Sequence, residues 1–123
     1  MKKILIVDDA TTVRMYHRQL MESIGYQVEE AGNGLEALER INQESFDLLL
    51  VDINMPKMDG YTFIEEVRKT PDVRATPAIM ISTEETEQDQ DKAYAAGANF
   101  YLVKPVRIEA LQTYAELLTG GVQ

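Results

Sequence analysis

The chain of 123 residues contains no cysteine. Disulfides, thiolate metal sites and cysteine nucleophiles are therefore excluded. Basic residues are also scarce. Twelve Lys and Arg stand against 21 Asp and Glu, for a formal net charge of -9. Without clustered bases the chain has no means of gripping nucleic acid or an anionic membrane on its own. Long apolar runs are missing too. Ile4 to Val7 is far too short for a signal-peptide core or a membrane span, so a cytoplasmic domain is the expectation. What is present is 45% apolar residues. That is enough for one packed core burying about two thirds of the unfolded chain's surface, and too much for a disordered acidic tail.

Two hydrophobic periods alternate along the chain. Lys3 to Val7 is a continuous β-branched run, the pattern of a strand covered on both faces. Thr11 or Thr12 can cap a helix that continues through Val13, Tyr16, Leu20, Met21 and Ile24 and stops at Gly25. His17, the only histidine, is expected on that helix's polar, solvated side. Tyr26 to Ala31 reads as a more polar strand near an edge, and Asn33 opens a second helix. Phe46 to Val51 is the most apolar stretch, hence a central strand. After a loop punctuated by Pro56 and Gly60 come helix Tyr61 to Lys69, strand Ala78 to Ser82, helix Thr86 to Ala96 and strand Phe100 to Val103. A last helix spans Arg107 to Leu118. Five strands alternating with five helices predict an α/β doubly wound parallel sheet with strand order 2-1-3-4-5. The domain should occupy 1–119, with a frayed tail at 120–123.

In that order a ligand site lies at the carboxyl ends of the strands, where the winding reverses. Strand 1 ends in Asp8 and Asp9, and strand 3 in Asp52. Each aspartate alone reads as a cap or turn former, but three meeting at one crevice would repel one another. A divalent cation with all-oxygen ligands resolves that conflict, which favours Mg²⁺. Strand 4 ends in Ser82 and Thr83, strand 5 in Lys104 and Pro105. Hydroxyls and an ammonium facing acids and a metal suit a phosphoryl group.

These segments, "ILIVDD", "LLLVDINMPKMDGYTFI", "AIMIST" and "GANFYLVKP", resemble the CheY-like receiver domain of two-component response regulators over essentially the whole chain. The resemblance implies a flavodoxin-like fold. It implies that Asp52 is the phosphoacceptor, taking a phosphoryl group from a sensor histidine kinase or phosphotransfer protein, rather than a site of catalytic turnover. It also implies Mg²⁺ held by Asp8, Asp9, Asp52 and the Asn54 backbone carbonyl. Lys104 would pair with a phosphoryl oxygen, and Lys104-Pro105 would be a cis peptide bond. Ser82 would be the switch hydroxyl, with Thr83 exchanging for it on a one-residue slip. Tyr101 would be the aromatic switch that turns inward on activation. Asn54 and Glu84 would tune dephosphorylation, a pairing of the chemotaxis type that implies a short-lived phosphoryl group. An unidentified protein target would read the face of helix 4, strand 5 and helix 5, including Lys92, Tyr94 and Val106.

Other readings are weaker. Gly32 to Ala37 imitates a dinucleotide fingerprint, but in the second βα unit of a chain too short for two halves. A haloacid-dehalogenase-like phosphatase needs D-x-D, and here the run is Asp52-Ile53-Asn54. A degenerate receiver acting as a constitutive binding module would be favoured by loss of Asp52 or Lys104, and both are present. No room follows Leu118 for an output domain, so the signal is expected to be read by another protein unless the chain is a fragment of a larger regulator. The negative charge divides between the three aspartates and the run Glu84, Glu85, Glu87, Asp89 and Asp91 at the start of helix 4. The rest of the chain is nearly neutral.

Overall fold

Continuous apolar strands demand cover on both faces, and the chain supplies it. In the computed structural model, which describes residues 1–121, β1 (Lys3–Val7) buries Ile4 to Val7 completely. Strands β3 (Leu48–Asp52) and β4 (Ala78–Ser82) are buried at every position. They form the centre of one parallel sheet, flanked by β2 (Gln27–Ala31) and β5 (Phe100–Val103), in the order β2-β1-β3-β4-β5. The edge position of β2 explains its polarity. Glu29 and Glu30 meet Arg40, Arg14 and Arg18 at the sheet margin rather than a core.

Alternation along each strand divides the core in two. Leu5, Val7, Leu49, Val51 and Met80 face α2 (Gly34–Gln43), α3 (Gly60–Lys69) and α4 (Glu87–Ala96). Ile4, Ile6, Leu48, Leu50 and Ile79 face α1 (Thr11–Ser23) and α5 (Ile108–Thr119). Each such side chain, fully buried, stabilises the fold by roughly 1.5–3 kcal/mol before entropy is charged against it. Among the described residues no helix is long and apolar enough to cross a membrane. The tail expected from residue 120 reaches 123, and its last two positions lie outside the described residues.

Helix ends follow the sequence signals at most places. The Asn33 side chain accepts from the Glu36 N–H at 2.9 Å, Asp59 from Thr62 at 2.8 Å and Thr86 from Asp89 at 3.1 Å. Helix α4 ends on Gly97 at φ +119, where a side chain would be strained. Helix α1 differs: neither Thr11 nor Thr12 caps it. Ala10 occupies the cap, and its N–H donates to Asp8 Oδ1 at 2.9 Å. An aspartate turn leaving β1 thus starts the helix without a hydroxyl.

The larger correction concerns α1's faces. His17 is not solvated; it is buried at 3% exposure, as is Met21, while Tyr16 is exposed. The reason lies in the helical period. At about 100° per residue, position 17 falls inside the arc spanned by Val13, Ile24 and Met21. The apolar stripe therefore carries a histidine at its centre. Tyr94 is likewise exposed, leaving Ala93 and Ala96 as the buried residues of α4.

Candidate functional site

Because β1, β3 and β5 run parallel, their carboxyl ends open at one edge of the sheet. Asp8 follows β1, Asp52 closes β3, and Lys104 follows β5. The backbone N–H of Lys104 donates to the Ser82 carbonyl at 2.8 Å, which fixes the β4 and β5 ends side by side. The Lys104 ammonium then reaches back, donating to Asp8 Oδ2 at 3.0 Å and to Asp52 Oδ1 at 3.1 Å. Lys104 is joined to Pro105 by a cis peptide bond.

One carboxylate oxygen from each of Asp8, Asp9 and Asp52 lies within 4.8 Å of the others. Asp8 and Asp52 are buried, while Asp9 is exposed at the mouth. Three carboxylates against a single ammonium leave the crevice negative. Burial, followed by the charge of Asp8, pushes the Asp52 pKa above the ordinary aspartate value; the Lys104 hydrogen bond opposes this without cancelling it. Burial works against the charged form of Lys104, but its bonds to Asp8 and Asp52 outweigh that and hold its pKa above the usual lysine value.

The backbone of this corner is fixed from two sides. Gly60 N–H donates to the Ile53 carbonyl at 2.8 Å. A Cβ at Gly60 would collide with the Asp52 carbonyl, so glycine there permits the strand end and α3 to meet. On the other side Arg14 donates through Nη1 to the Asp8 carbonyl at 2.6 Å and through Nε to Glu30 Oε1 at 2.9 Å. Arg18 holds the second Glu30 oxygen at 2.6 Å. Burial opposes the Glu30 charge, yet its bonds to Arg18 and Arg14 prevail and hold its pKa below the usual glutamate value. This clamp escaped the sequence reading, since Arg14 and Glu30 sit on separate elements and neither has a local signature.

The remaining candidates occupy the rim. Ser82 is buried at the last position of β4, and its Oγ accepts from the Glu84 N–H at 3.1 Å. Tyr101 is buried, and its hydroxyl donates to the Glu84 carbonyl at 2.9 Å. Ser82 and Tyr101 therefore hold the two backbone polar groups of one residue. Thr83, Asn54 and Glu84 are exposed. Thr83 lines a recess of about 270 Å³ beside Lys104, which the sequence did not foretell.

Residues 4–116 match the model of the response regulator receiver domain. The chain belongs to that family. Chemotaxis protein CheY1 of Helicobacter pylori is 35% identical over 120 residues, covering 96% of this receiver domain and 97% of that protein. Chemotaxis protein CheY4 of Vibrio cholerae superposes with a TM-score of 0.90 at 35% identity, over 96% of this chain and 98% of that one. The receiver domain of a Pseudomonas aeruginosa sensor histidine kinase, solved with a magnesium ion coordinated in its active site cleft, superposes with a TM-score of 0.90 at 28% identity, covering 98% of each chain. Other curated relatives are much longer: this receiver domain spans 15%, 14% and 9% of three of them.

Proposed function

We propose that this receiver domain takes a phosphoryl group onto Asp52 from the phosphohistidine of a sensor histidine kinase or phosphotransfer protein. The observation that carries the reading is the Lys104 ammonium held between Asp8 and Asp52. An Asp52 oxygen attacks phosphorus, the Asp52 O–P bond forms, and the P–N bond breaks with its electron pair returning to the donor imidazole. Lys104 exchanges a carboxylate for a phosphoryl oxygen and follows the transferred charge. The domain modifies itself and turns over no substrate.

The all-oxygen donor set and the uncompensated negative charge fit a hard divalent cation. Asp8, Asp9, Asp52 and the Asn54 carbonyl would hold Mg²⁺, which when bound supplies positive charge opposite the phosphoryl oxygens. Ser82 would then leave the Glu84 N–H for the phosphoryl group. Because Tyr101 grips the Glu84 carbonyl, that move would pass to α4 and to the face of α4, β5 and α5, where a partner protein in the cytoplasm reads the state. Asn54 and Glu84, both at the open rim, would admit and orient a water that ends the signal.

Labelling by acetyl phosphate with Mg²⁺, read as a mass gain of one phosphoryl group, tests the assignment. The wild-type chain should be labelled and Asp52→Asn should not. Labelling of Asp52→Asn at the normal rate would place the acceptor elsewhere. Chelation of the divalent ion should abolish the reaction.

A further inference from the structure

Asp8 is held on every side. Its N–H donates to the Ala31 carbonyl at 3.1 Å, and its two carboxylate oxygens accept from the Ala10 N–H at 2.9 Å and the Lys104 ammonium at 3.0 Å. Asp9 is the opposite case. It is exposed, and its side chain enters none of the hydrogen bonds that close this corner. It nonetheless brings a carboxylate oxygen within 4.8 Å of those of Asp8 and Asp52. Its aim therefore comes from its backbone. The peptide unit joining the two aspartates is planar, so the direction of the Asp8 carbonyl fixes the plane from which Asp9 leaves. That carbonyl lies past the end of β1, and among the described residues no backbone N–H donates to it. Its donor is a side chain, Arg14 through Nη1 at 2.6 Å. Glu30 Oε1 accepts from Arg14 Nε at 2.9 Å, and Arg18 holds the other Glu30 oxygen at 2.6 Å. A guanidinium is a rigid planar fork, so engaging it at two points leaves it little freedom to turn.

We infer that Arg14 is a positioning residue for the divalent cation: it holds the Asp8–Asp9 peptide against the sheet edge, keeps Asp9 aimed into the crevice and thereby raises Mg²⁺ affinity. The inference rests on the reading of Asp8, Asp9 and Asp52 as the metal ligands. Arg14 acts on that affinity in two ways of opposite sign. Its positive charge repels a cation among the aspartates, so as a charge alone it weakens binding. Its hydrogen bonds order a ligand that would otherwise lose conformational freedom when the ion arrives, which strengthens binding. Groups that support metal ligands from outside in this way are worth about 10–100-fold in affinity. Glu30, ion-paired to Arg14 at 2.9 Å, offsets much of the repulsive charge, so the ordering effect prevails.

Mg²⁺ titrated against the amide NMR signals of Asp9 and Ile53 tests this on the folded chain. Arg14→Met keeps the apolar stem and removes both the donors and the charge. It should weaken Mg²⁺ binding about tenfold, the lower end of the range for such support. Arg14→Lys keeps the charge but not the fork, and its affinity should fall between those of Arg14→Met and the wild type. In labelling by acetyl phosphate, the half-saturating Mg²⁺ concentration of Arg14→Met should rise by the same factor, and saturating Mg²⁺ should restore most of the rate. Tighter binding in Arg14→Met would mean that its charge dominates. Wild-type affinity with a lowered urea midpoint would make the arginine a strut of the fold. Either result overturns the inference. Should Arg14→Met not fold, Arg14→Lys decides, because a charge acting alone predicts wild-type affinity there and the clamp predicts a loss. A wild-type chain that binds no Mg²⁺ would instead sink the metal-site reading, and this inference with it.

Discussion

Helices α3 and α4 are both ten residues long, and each is capped by a side chain accepting from the third residue beyond it. They differ in what they bury. Helix α3 puts Tyr61, Phe63, Ile64 and Val67 into the core, whereas α4 contributes only Ala93 and Ala96. Local helix signals of equal quality therefore yield elements of unequal anchorage, because most helical stability comes from the packed face. What holds α4 is peripheral. Lys92 Nζ lies 4.5 Å from the Tyr61 ring centroid, and the Arg68 guanidinium donates to the Gly97 carbonyl just past the helix end at 3.0 and 2.8 Å. A helix that buries only two alanine side chains can shift while leaving little empty volume behind. That suits the route proposed above, in which a change at Ser82 passes to α4.

The contrast can be broken most sharply at α3. Phe63→Ala should destabilise the domain by about 3–5 kcal/mol, read from the urea midpoint, whereas Ala93→Gly in α4 should cost about 1 kcal/mol. Similar losses at the two positions would remove the distinction. Arg68 is the next test. Its guanidinium also donates to the Arg74 and Thr76 carbonyls, so Arg68→Ala should cost about 1.5–3 kcal/mol and raise hydrogen exchange in α4 more than in α3. Uniform acceleration would mean that Arg68 supports the whole fold rather than the α4 end. The smallest effect belongs to Lys92→Ala, at about 0.5–1 kcal/mol for an exposed cation over an aromatic ring. That variant should leave α3 exchange unchanged while quickening α4.

Much of this was legible from the residues, for a definable reason. Strands buried on both faces write themselves as apolar runs, so "ILIV", "LLLV" and "AIMI" located β1, β3 and β4, and their alternation with five helices pointed to the order of a doubly wound sheet. Given that order, the meeting of Asp8, Asp52 and Lys104 follows from topology, since parallel strands end on one side. What escaped depends on side chains that reach across elements. The turn closed by the Asp8 carboxylate on the Ala10 N–H puts Ala10, not a threonine, at the cap. The Arg14–Glu30 clamp joins α1 to β2 and leaves no periodic trace. His17 was missed for another reason: its polarity hid a position that the helical period had already assigned to the buried stripe.

The Arg14 clamp bears on how such domains can be recombined. Its guanidinium spans the carbonyl of Asp8 and the carboxylate of Glu30, so the edge strand underwrites the acidic corner twice, through this clamp and through the Ala31 carbonyl, which accepts from the Asp8 N–H at 3.1 Å. Grafting the β2–α2 segment from a relative without a carboxylate at that register would leave all three aspartates in place while removing the Glu30 anchor of the arginine that holds the Asp8 carbonyl. In a chimera the first βα unit and the second strand would have to travel together as a single inheritance unit.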